Sequence, residues 1–396
     1  MESVTLPASY PIARTCPLDP APEYELLRAR PITRIRLDFD GSDVWLVTRY
    51  DDACAVLGDP RFSSDFSKAG FPARLTTQPP GPGTLIRMDP PDHTRLRRLL
   101  VPEFKRRRVE ALRPRVQAIT DELIDGMLAA GPPADLIADF ALPLPSRVIT
   151  ELLGVPYEDR EFFHQTTKVI GSQDTDPASR MKVRNELKAY LDRLVARKEA
   201  DPAQDLLSLL SGQRERARVS RDEVVGMATL LMVAGYETVA NQLGVGTIAL
   251  LRQPGLLGEL RRDPGLIGRC VEEIVRHQTV TDYGIRRACT ADAVIGGQLI
   301  RAGEGVVVVT ASANRDESRF PCPGQLDLTR TDHDHLAFGY GPHQCPGQLL
   351  ARLQLTVAWT ALLARLPQLR LAVELGDVPF RYDMFVYGVH ELPVTW

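Results

Sequence analysis

Residues Phe338-Gly339-Tyr340-Gly341-Pro342-His343-Gln344-Cys345-Pro346-Gly347 place a single cysteine in a glycine-rich loop, immediately before a helix-like run over residues 346–366. A thiolate at that point faces the backbone N–H groups of a helix N-terminus, where negative charge is stabilised. Gly341 and Gly347 let the chain turn sharply and lie close to something flat. Pro346 suits the first helical position, where its missing N–H costs little. Loop and helix together present one sulfur as a ligand.

An isolated free cysteine is usually a small buried hydrophobe. Asp332, His333, Asp334, His335 and His343 also stand near enough in sequence to join Cys345 around zinc. Spacing argues against zinc, because no Cys-x-x-Cys or His-x-x-x-His pair is present to build a tetrahedral site. One thiolate held at a helix start is instead what haem iron takes as an axial ligand. The loop carries every fixed position of Phe-x-x-Gly-x-His/Arg-x-Cys-x-Gly, and at these residues the chain resembles the cytochrome P450 family. The resemblance implies haem b, protoporphyrin IX iron ligated by the thiolate of Cys345, with Phe338, His343 and Gly347 among the residues that bind it. Pro346 departs from the family's usual Leu or Ile and removes one potential N–H donor to the sulfur.

A second segment, Leu230-Leu231-Met232-Val233-Ala234-Gly235-Tyr236-Glu237-Thr238, lies in a run whose only charge between Glu223 and Arg252 is Glu237. The run is long enough to cross a bilayer, yet Glu237, Asn241 and Gln242 fall at its centre, where a bilayer penalises polar groups. A helix apolar on all sides that threads a protein core fits better. Gly235 removes a side chain from one turn and leaves room for a ligand. The P450 pattern Ala/Gly-Gly-x-Asp/Glu-Thr matches here, so the resemblance puts Ala234 beside the cofactor. It gives Thr238 a hydrogen bond to the oxygen being activated and Glu237 a part in relaying protons. The alternative is that the Thr238 hydroxyl bonds back to a helix carbonyl. Tyr236 and Val239 depart from the family's usual neighbours of this acid–alcohol pair, which bears on the detail of the relay.

Glu273-Ile274-Val275-Arg276 sits on an amphipathic stretch over about residues 266–278, with Glu and Arg on one helix face. Arg276 precedes Cys345 by 69 residues, where the family carries its Glu-x-x-Arg. The implied role is structural: locking the helix to the loop before the cysteine.

In Asp89-Pro90-Pro91-Asp92-His93-Thr94-Arg95-Leu96-Arg97, the two prolines and Asp92 read as a helix entry, with Asp92 as N-cap or first-turn acid. His93 and Arg97 then share one face, which suits either a solvated basic surface or an anionic partner. The resemblance makes His93, Arg97 and His343 ligands of the haem propionates. It adds one arginine of Ile285-Arg286-Arg287-Ala288. Counting back from Asp292 selects Arg287, with Arg286 the alternative.

The chain has 396 residues, 44% of them hydrophobic, and a formal net charge of −3, which supports a large core and gives no general affinity for nucleic acid. Its 6 cysteines show no paired spacing, as expected of reduced thiols in a cytoplasm. The opening residues show no signal-peptide pattern, and the membrane anchor of microsomal relatives is not expected. Of 48 basic residues 6 are lysine, a usage that fits a GC-rich bacterium of the actinomycete type.

Alternation over residues 32–49 reads as a hairpin across Gly41. A second β region over residues 291–310 turns at Gly296-Gly297, and residues 376–396 are expected to add a final strand pair. The fold class is mainly α with a small β region. The resemblance implies the triangular P450 prism around one long central helix, as a single domain over residues 1–396. Its β-rich lobe is expected over about residues 30–50, 285–310 and 370–396, and its helical lobe over about 92–280 and 346–366.

The implied reaction is monooxygenation, by hydroxylation or epoxidation with O2. No flavin or dinucleotide fingerprint is present, so electrons are expected from a ferredoxin and its NAD(P)H-dependent reductase. Lys105-Arg106-Arg107-Arg108, with Arg98 and Arg352, offer a basic face for such a partner. By family analogy the substrate pocket draws on residues 71–88, 162–181, 280–285 and 384–387, with Leu85, Ile86, Met232, Val233, Ile285 and Phe385 as lining candidates. Residues 70–83, rich in Gly and Pro, read as a lid. The expected substrate is a bulky, mostly apolar secondary metabolite such as a polyketide, macrolide, terpenoid or steroid-like compound, met by a monomer. The rival readings are a peroxide-driven peroxygenase and a non-enzymatic haem-thiolate sensor. Thr238 argues against the first, and the Glu237-Thr238 pair against the second.

Overall fold

Val306, Val307 and Val308 are completely buried, and a strand buried on both faces reads as a continuous apolar run. They belong to Gly305–Val308, an inner strand of a six-stranded sheet. The computed structural model describes residues 7–30, 32–72, 81–172 and 175–396. The chain forms two compact units. One contains the described residues up to 72 with Ile86–Asp89 and Glu272–Cys345; the other contains Gly81–Leu85, Pro90–Val271 and Pro346–Trp396.

In the first unit the strand order is Ser9–Tyr10, Thr33–Leu37, Asp43–Val47, Gly305–Val308, Ile285–Cys289 and Phe62–Ser63. The hairpin expected from alternation pairs Thr33 with Leu46 and Arg36 with Asp43 in antiparallel register. Gly41 closes it at φ +71°, a conformation that glycine adopts without steric cost. A separate small hairpin pairs Ala293–Ile295 with Gln298–Ile300 through Gly296 and Gly297, both at positive φ, as a tight two-residue hairpin turn requires. Apolar side chains cover both sheet faces: Val47, Val56, Phe62, Val308 and Phe320 in one cluster, and Tyr10, Tyr24, Leu37, Leu46 and Val307 in another.

The second unit is built on one helix, Arg221–Leu251. Ser220 caps it by accepting from the Glu223 N–H, while the Glu223 carboxylate accepts from the Ser220 N–H. This reciprocal pair satisfies two of the donors that a helix start leaves over. From Val239 to Leu250 every residue is buried. The helix has the length and apolarity of a membrane span, but its surface is covered by Pro143–Leu153, Pro177–Ala200 and Gln348–Arg365. Trp359 Nε1 donates to Thr247 Oγ1 at 3.1 Å and joins two of these helices.

Two sequence expectations change. Residues 376–396 hold an isolated antiparallel bridge between Phe380 and Val389 and one strand, Pro393–Thr395, which pairs with Arg370–Leu371 on one side and Ala134–Asp135 on the other. These strands therefore lie in the helical unit and do not join the larger sheet. The strand Pro393–Thr395 pairs with Ala134–Asp135 across more than half of the 396-residue chain, and local alternation carries no such information. The helix after the cysteine begins at Gln348, with Gly347 at its N-cap. Pro346 thus precedes the cap and does not occupy the first turn.

Candidate active site

The cysteine loop is held by its own backbone. The Cys345 N–H donates to Phe338 O at 2.8 Å, Gly339 N–H to Leu336 O at 2.9 Å, and Gln344 N–H to Gly341 O at 3.0 Å. Gly341 has φ +70°, and a Cβ there would lie 2.6 Å from the carbonyl oxygen of Leu57. No other residue fits without strain. His335 steadies the start of the loop: its Nδ1 accepts from the Ala337 N–H at 3.3 Å, and its Nε2 faces Glu272 Oε2 at 3.2 Å. Cys345 is half-buried and not disulfide-bonded. Among the described residues no cluster of His, Cys, Asp and Glu suits a metal ion. Asp332 and Asp334 pair with Arg319 instead.

Glu273 and Arg276 lock the segments that lead to this loop. Arg276 Nε donates to Glu273 Oε2 at 2.8 Å, and Nη2 to Oε1 at 2.7 Å. The remaining guanidinium donors reach the carbonyl oxygens of Asn314, Pro323 and Gln325 at 2.8, 3.0 and 3.1 Å. Glu273 also accepts from the Asp327 N–H at 3.0 Å. Asn314 continues the network, since its Oδ1 accepts from the Leu336 N–H at 2.6 Å, two residues before Phe338. Burial pushes the Glu273 carboxyl up, but the Arg276 hydrogen bonds and charge, the Asp327 N–H and Arg330 outweigh it and hold it below 4.5. The pair acts on backbone geometry, and neither residue serves chemistry directly.

A cationic cluster lies in the same unit. Strand alternation separates the two arginine candidates. Arg286 reaches toward Pro72 O and lies over the Phe39 ring at 5.5 Å, whereas Arg287 is 3% exposed. Burial pushes the Arg287 guanidinium down to about 10, with Asp89 the opposing charge. Arg87, which the sequence reading passed over, is likewise pushed down to about 10, by burial and by repulsion from Arg286 and Arg287. Asp89 also accepts from the Ser63 hydroxyl and, at 2.8 Å, from the Ser64 N–H. The Ser64 hydroxyl meets His343 Nε2 at 3.0 Å. Desolvated cations that repel one another are costly unless an anion faces them. A propionate is a carboxylate, and guanidinium donors match it two at a time. The donor set therefore fits haem, with Arg287 the more buried of the two neighbouring arginines.

The second unit carries the acid–alcohol pair. Thr238 Oγ1 donates to Ala234 O at 2.9 Å. This is the back-bond that the sequence left open, and it leaves the hydroxyl's lone pairs as acceptors. Ala234 is exposed and Thr238 half-buried, so this turn is not covered by the unit's own core. Glu237 points the other way. It is 6% exposed, and Arg381 donates to its carboxylate. Burial pushes the Glu237 carboxyl above 4.5, and the charge and hydrogen bond of Arg381 offset this only in part. The helix Asp92–Leu100 starts with Asp92 as a first-turn acid, its N-cap being Pro91. It holds His93 buried and Arg97 half-buried one turn later.

The lining candidates differ in burial. Leu85 and Met232 are buried, Val233, Ile285 and Phe385 half-buried, and Ile86 is 50% exposed. Met232 is packed into the core, so its side chain is a weak lining candidate. Residues 73–80 of the expected lid, and residues 173 and 174 of the 162–181 region, lie outside the described residues.

The family model for cytochrome P450 matches residues 265–379, the span from the Glu-x-x-Arg helix through the cysteine loop. Cytochrome P450-SU2 of Streptomyces griseolus is 46% identical over 403 aligned positions, covering 100% of this chain and 98% of the relative. Pentalenic acid synthase of Streptomyces avermitilis is 45% identical, covering 100% and 98%. The crystal structure of CYP105P1 in complex with filipin I superposes with a TM-score of 0.93 at 40% identity, covering 99% of each chain. Full-length identity of this order, a solved fold and a donor set that fits haem establish that the chain belongs to the cytochrome P450 family, the haem-thiolate monooxygenases.

Proposed function

We propose that this monooxygenase inserts one oxygen atom into a bulky, mostly apolar secondary metabolite, by hydroxylation or epoxidation. The cysteine loop, matched at every fixed position in a chain alignable end to end with P450 relatives, carries the reading. When bound, thiolate-ligated haem supplies oxygen activation, because the sulfur pushes electron density toward the iron and favours O–O cleavage. Cys345 would supply the thiolate that holds the iron. Arg287, Arg87 and His343, and from the helix Asp92–Leu100 His93 and Arg97, would hold the propionates. One oxygen atom enters a C–H bond or an alkene and the other leaves as water, consuming two electrons and two protons.

The protein's own part is to deliver those protons in order. The Thr238 hydroxyl, anchored on Ala234 O, holds a proton at Oγ1 at the open turn of the helix. Glu237, adjacent on the same helix, has its carboxyl pushed above 4.5 by burial against the opposing charge of Arg381, and it is the relay acid of this reading. The half-buried apolar groups Val233, Ile285 and Phe385 favour an apolar substrate and exclude water that would waste reducing equivalents. Electrons come from a ferredoxin with its NAD(P)H-dependent reductase, met by the exposed cations of Lys105 through Arg108 with Arg98. The enzyme works as a cytoplasmic monomer.

One relative is named for making pentalenic acid, and one solved relative holds filipin I. These names favour terpenoids and polyketide macrolides as the first panel. The test is a spin-state titration of the ferric enzyme against both classes, followed by turnover with a ferredoxin, its reductase and NADPH. An oxygenated product from a compound that shifts the spin state supports the proposal. Spin shifts and turnover confined to small polar compounds would overturn the substrate class.

A further inference from the structure

Glu237 and Arg381 are 144 residues apart in sequence, yet their charged groups meet inside the second unit, 6% and 8% exposed. The guanidinium does two jobs at once. Nη2 donates to Glu237 Oε1, and Nη1 donates to Asn241 Oδ1 at 3.1 Å. Asn241 in turn donates from Nδ2 to the Glu237 carbonyl oxygen at 2.8 Å. Acid, arginine and amide thus close a loop on one turn of the long helix, next to Thr238.

Arg381 sits at the base of a hairpin-like segment over residues 379–390. Its N–H donates to Gly388 O at 2.9 Å, and the His390 N–H to Pro379 O at 2.8 Å. Phe380 bridges to Val389, and the Phe380 and Tyr387 rings stack at 6.1 Å. Gly388 lies so close to Asn241 that a side-chain carbon there would collide with it. Farther along the segment, Met384 bridges to Ser172, and Phe385 is a lining candidate for the substrate. The segment that carries Phe385 is therefore pinned to the helix at the acid, through one guanidinium and one glycine.

We propose that Arg381 is a positioning residue for proton delivery, fixing the Glu237 carboxyl from the 379–390 segment so that substrate seated against that segment and the proton-relay acid share one joint. This rests on the reading of Glu237 as a relay residue. Arg381 touches no reacting atom in this account and acts only through Glu237. A buried carboxylate whose partner is removed goes neutral or relaxes away, and either change disturbs a relay that depends on fixed geometry.

The experiment compares wild type, Arg381→Gln, Arg381→Lys, Glu237→Gln and the double variant Arg381→Gln/Glu237→Gln, all haem-loaded, with a substrate that gives a spin-state shift. Coupling, the product formed per NADPH consumed, should fall about tenfold in Arg381→Gln, with the spin-shift Kd nearly unchanged. Arg381→Lys should recover part of the loss. The double variant should be no worse than Glu237→Gln, since residues acting as a unit are not additive. Infrared titration of the buried carboxyl should place its pKa higher in Arg381→Gln than in wild type, independently of turnover. Thermal midpoints of the five proteins report folding, and Arg381→Lys keeps the comparison open if Arg381→Gln is unstable. Normal coupling in Arg381→Gln beside impaired coupling in Glu237→Gln would overturn the role of Arg381 and leave the Glu237 reading standing. Losses that simply multiply in the double variant would overturn it too. Normal coupling in Glu237→Gln would sink the relay reading itself, and this inference with it.

Discussion

Arg276 gives every donor-bearing arm of its guanidinium to the protein: two bonds to Glu273 and three to backbone carbonyls of the segment over residues 314–325. The pair is 1% exposed on both side chains. Breaking a buried pair from one side leaves an uncompensated charge and costs about 3–5 kcal/mol. Arg276→Leu should therefore lower the thermal midpoint sharply and yield protein poor in haem. Glu273→Gln should do so less, because the amide still accepts from the Asp327 N–H.

The same pair sets a pH dependence. Glu273 is held below the ordinary 4.5 in the folded protein. Its contribution is therefore present above 4.5 and lost as pH falls through the folded value. Denaturation curves should show wild-type stability dropping below about pH 4.5, with a shallower drop in Glu273→Gln. Equal acid slopes in the two proteins would contradict the assignment.

Arg87 and Arg287 make opposite predictions for protein with and without cofactor. Each is a desolvated cation pushed down to about 10. Arg87→Met should raise the thermal midpoint of haem-free protein, because a buried repulsion disappears. In loaded protein it should speed haem transfer to an acceptor globin about tenfold or more, from the loss of a charge-assisted bond. A destabilised apoprotein with unchanged haem retention would show that these arginines face no propionate.

Thr238 tests the reaction itself. Its hydroxyl only back-bonds to Ala234 O, so Thr238→Ala should change stability by less than about 1 kcal/mol. Substrate spin shifts should persist, while coupling falls about tenfold and peroxide accumulates. Thr238→Ser should restore most of the coupling. If Thr238→Ala couples like wild type, the hydroxyl only back-bonds and takes no part in delivery.

How much of this was legible in the sequence follows from range. The cysteine loop, the Thr33–Val47 hairpin and the Gly296-Gly297 turn are local, and residue type dictates them through positive φ and alternation. The long helix is legible because no other soluble arrangement hides so continuous an apolar run. The Arg381–Glu237 joint is not legible: nothing near Arg381 marks it as the partner of an acid 144 residues away. Arg87 escaped for a related reason. It looks like a surface arginine beside exposed Ile86 until folding brings Arg286 and Arg287 up to it. The last long helix begins at Gln348 behind Gly347 as N-cap, not at Pro346, because a helix boundary depends on the incoming loop and propensity fixes it only to within a residue or two.

The most direct test of the whole account is the absorbance spectrum of the dithionite-reduced protein under carbon monoxide, with Cys345→Ser as control. A strongly red-shifted Soret band in wild type, lost in Cys345→Ser, is the predicted result and establishes Cys345 as the thiolate ligand of haem. A Soret band at the position of a protonated thiol or an imidazole ligand in folded, freshly purified wild type would contradict it, as would failure to take up haem at all.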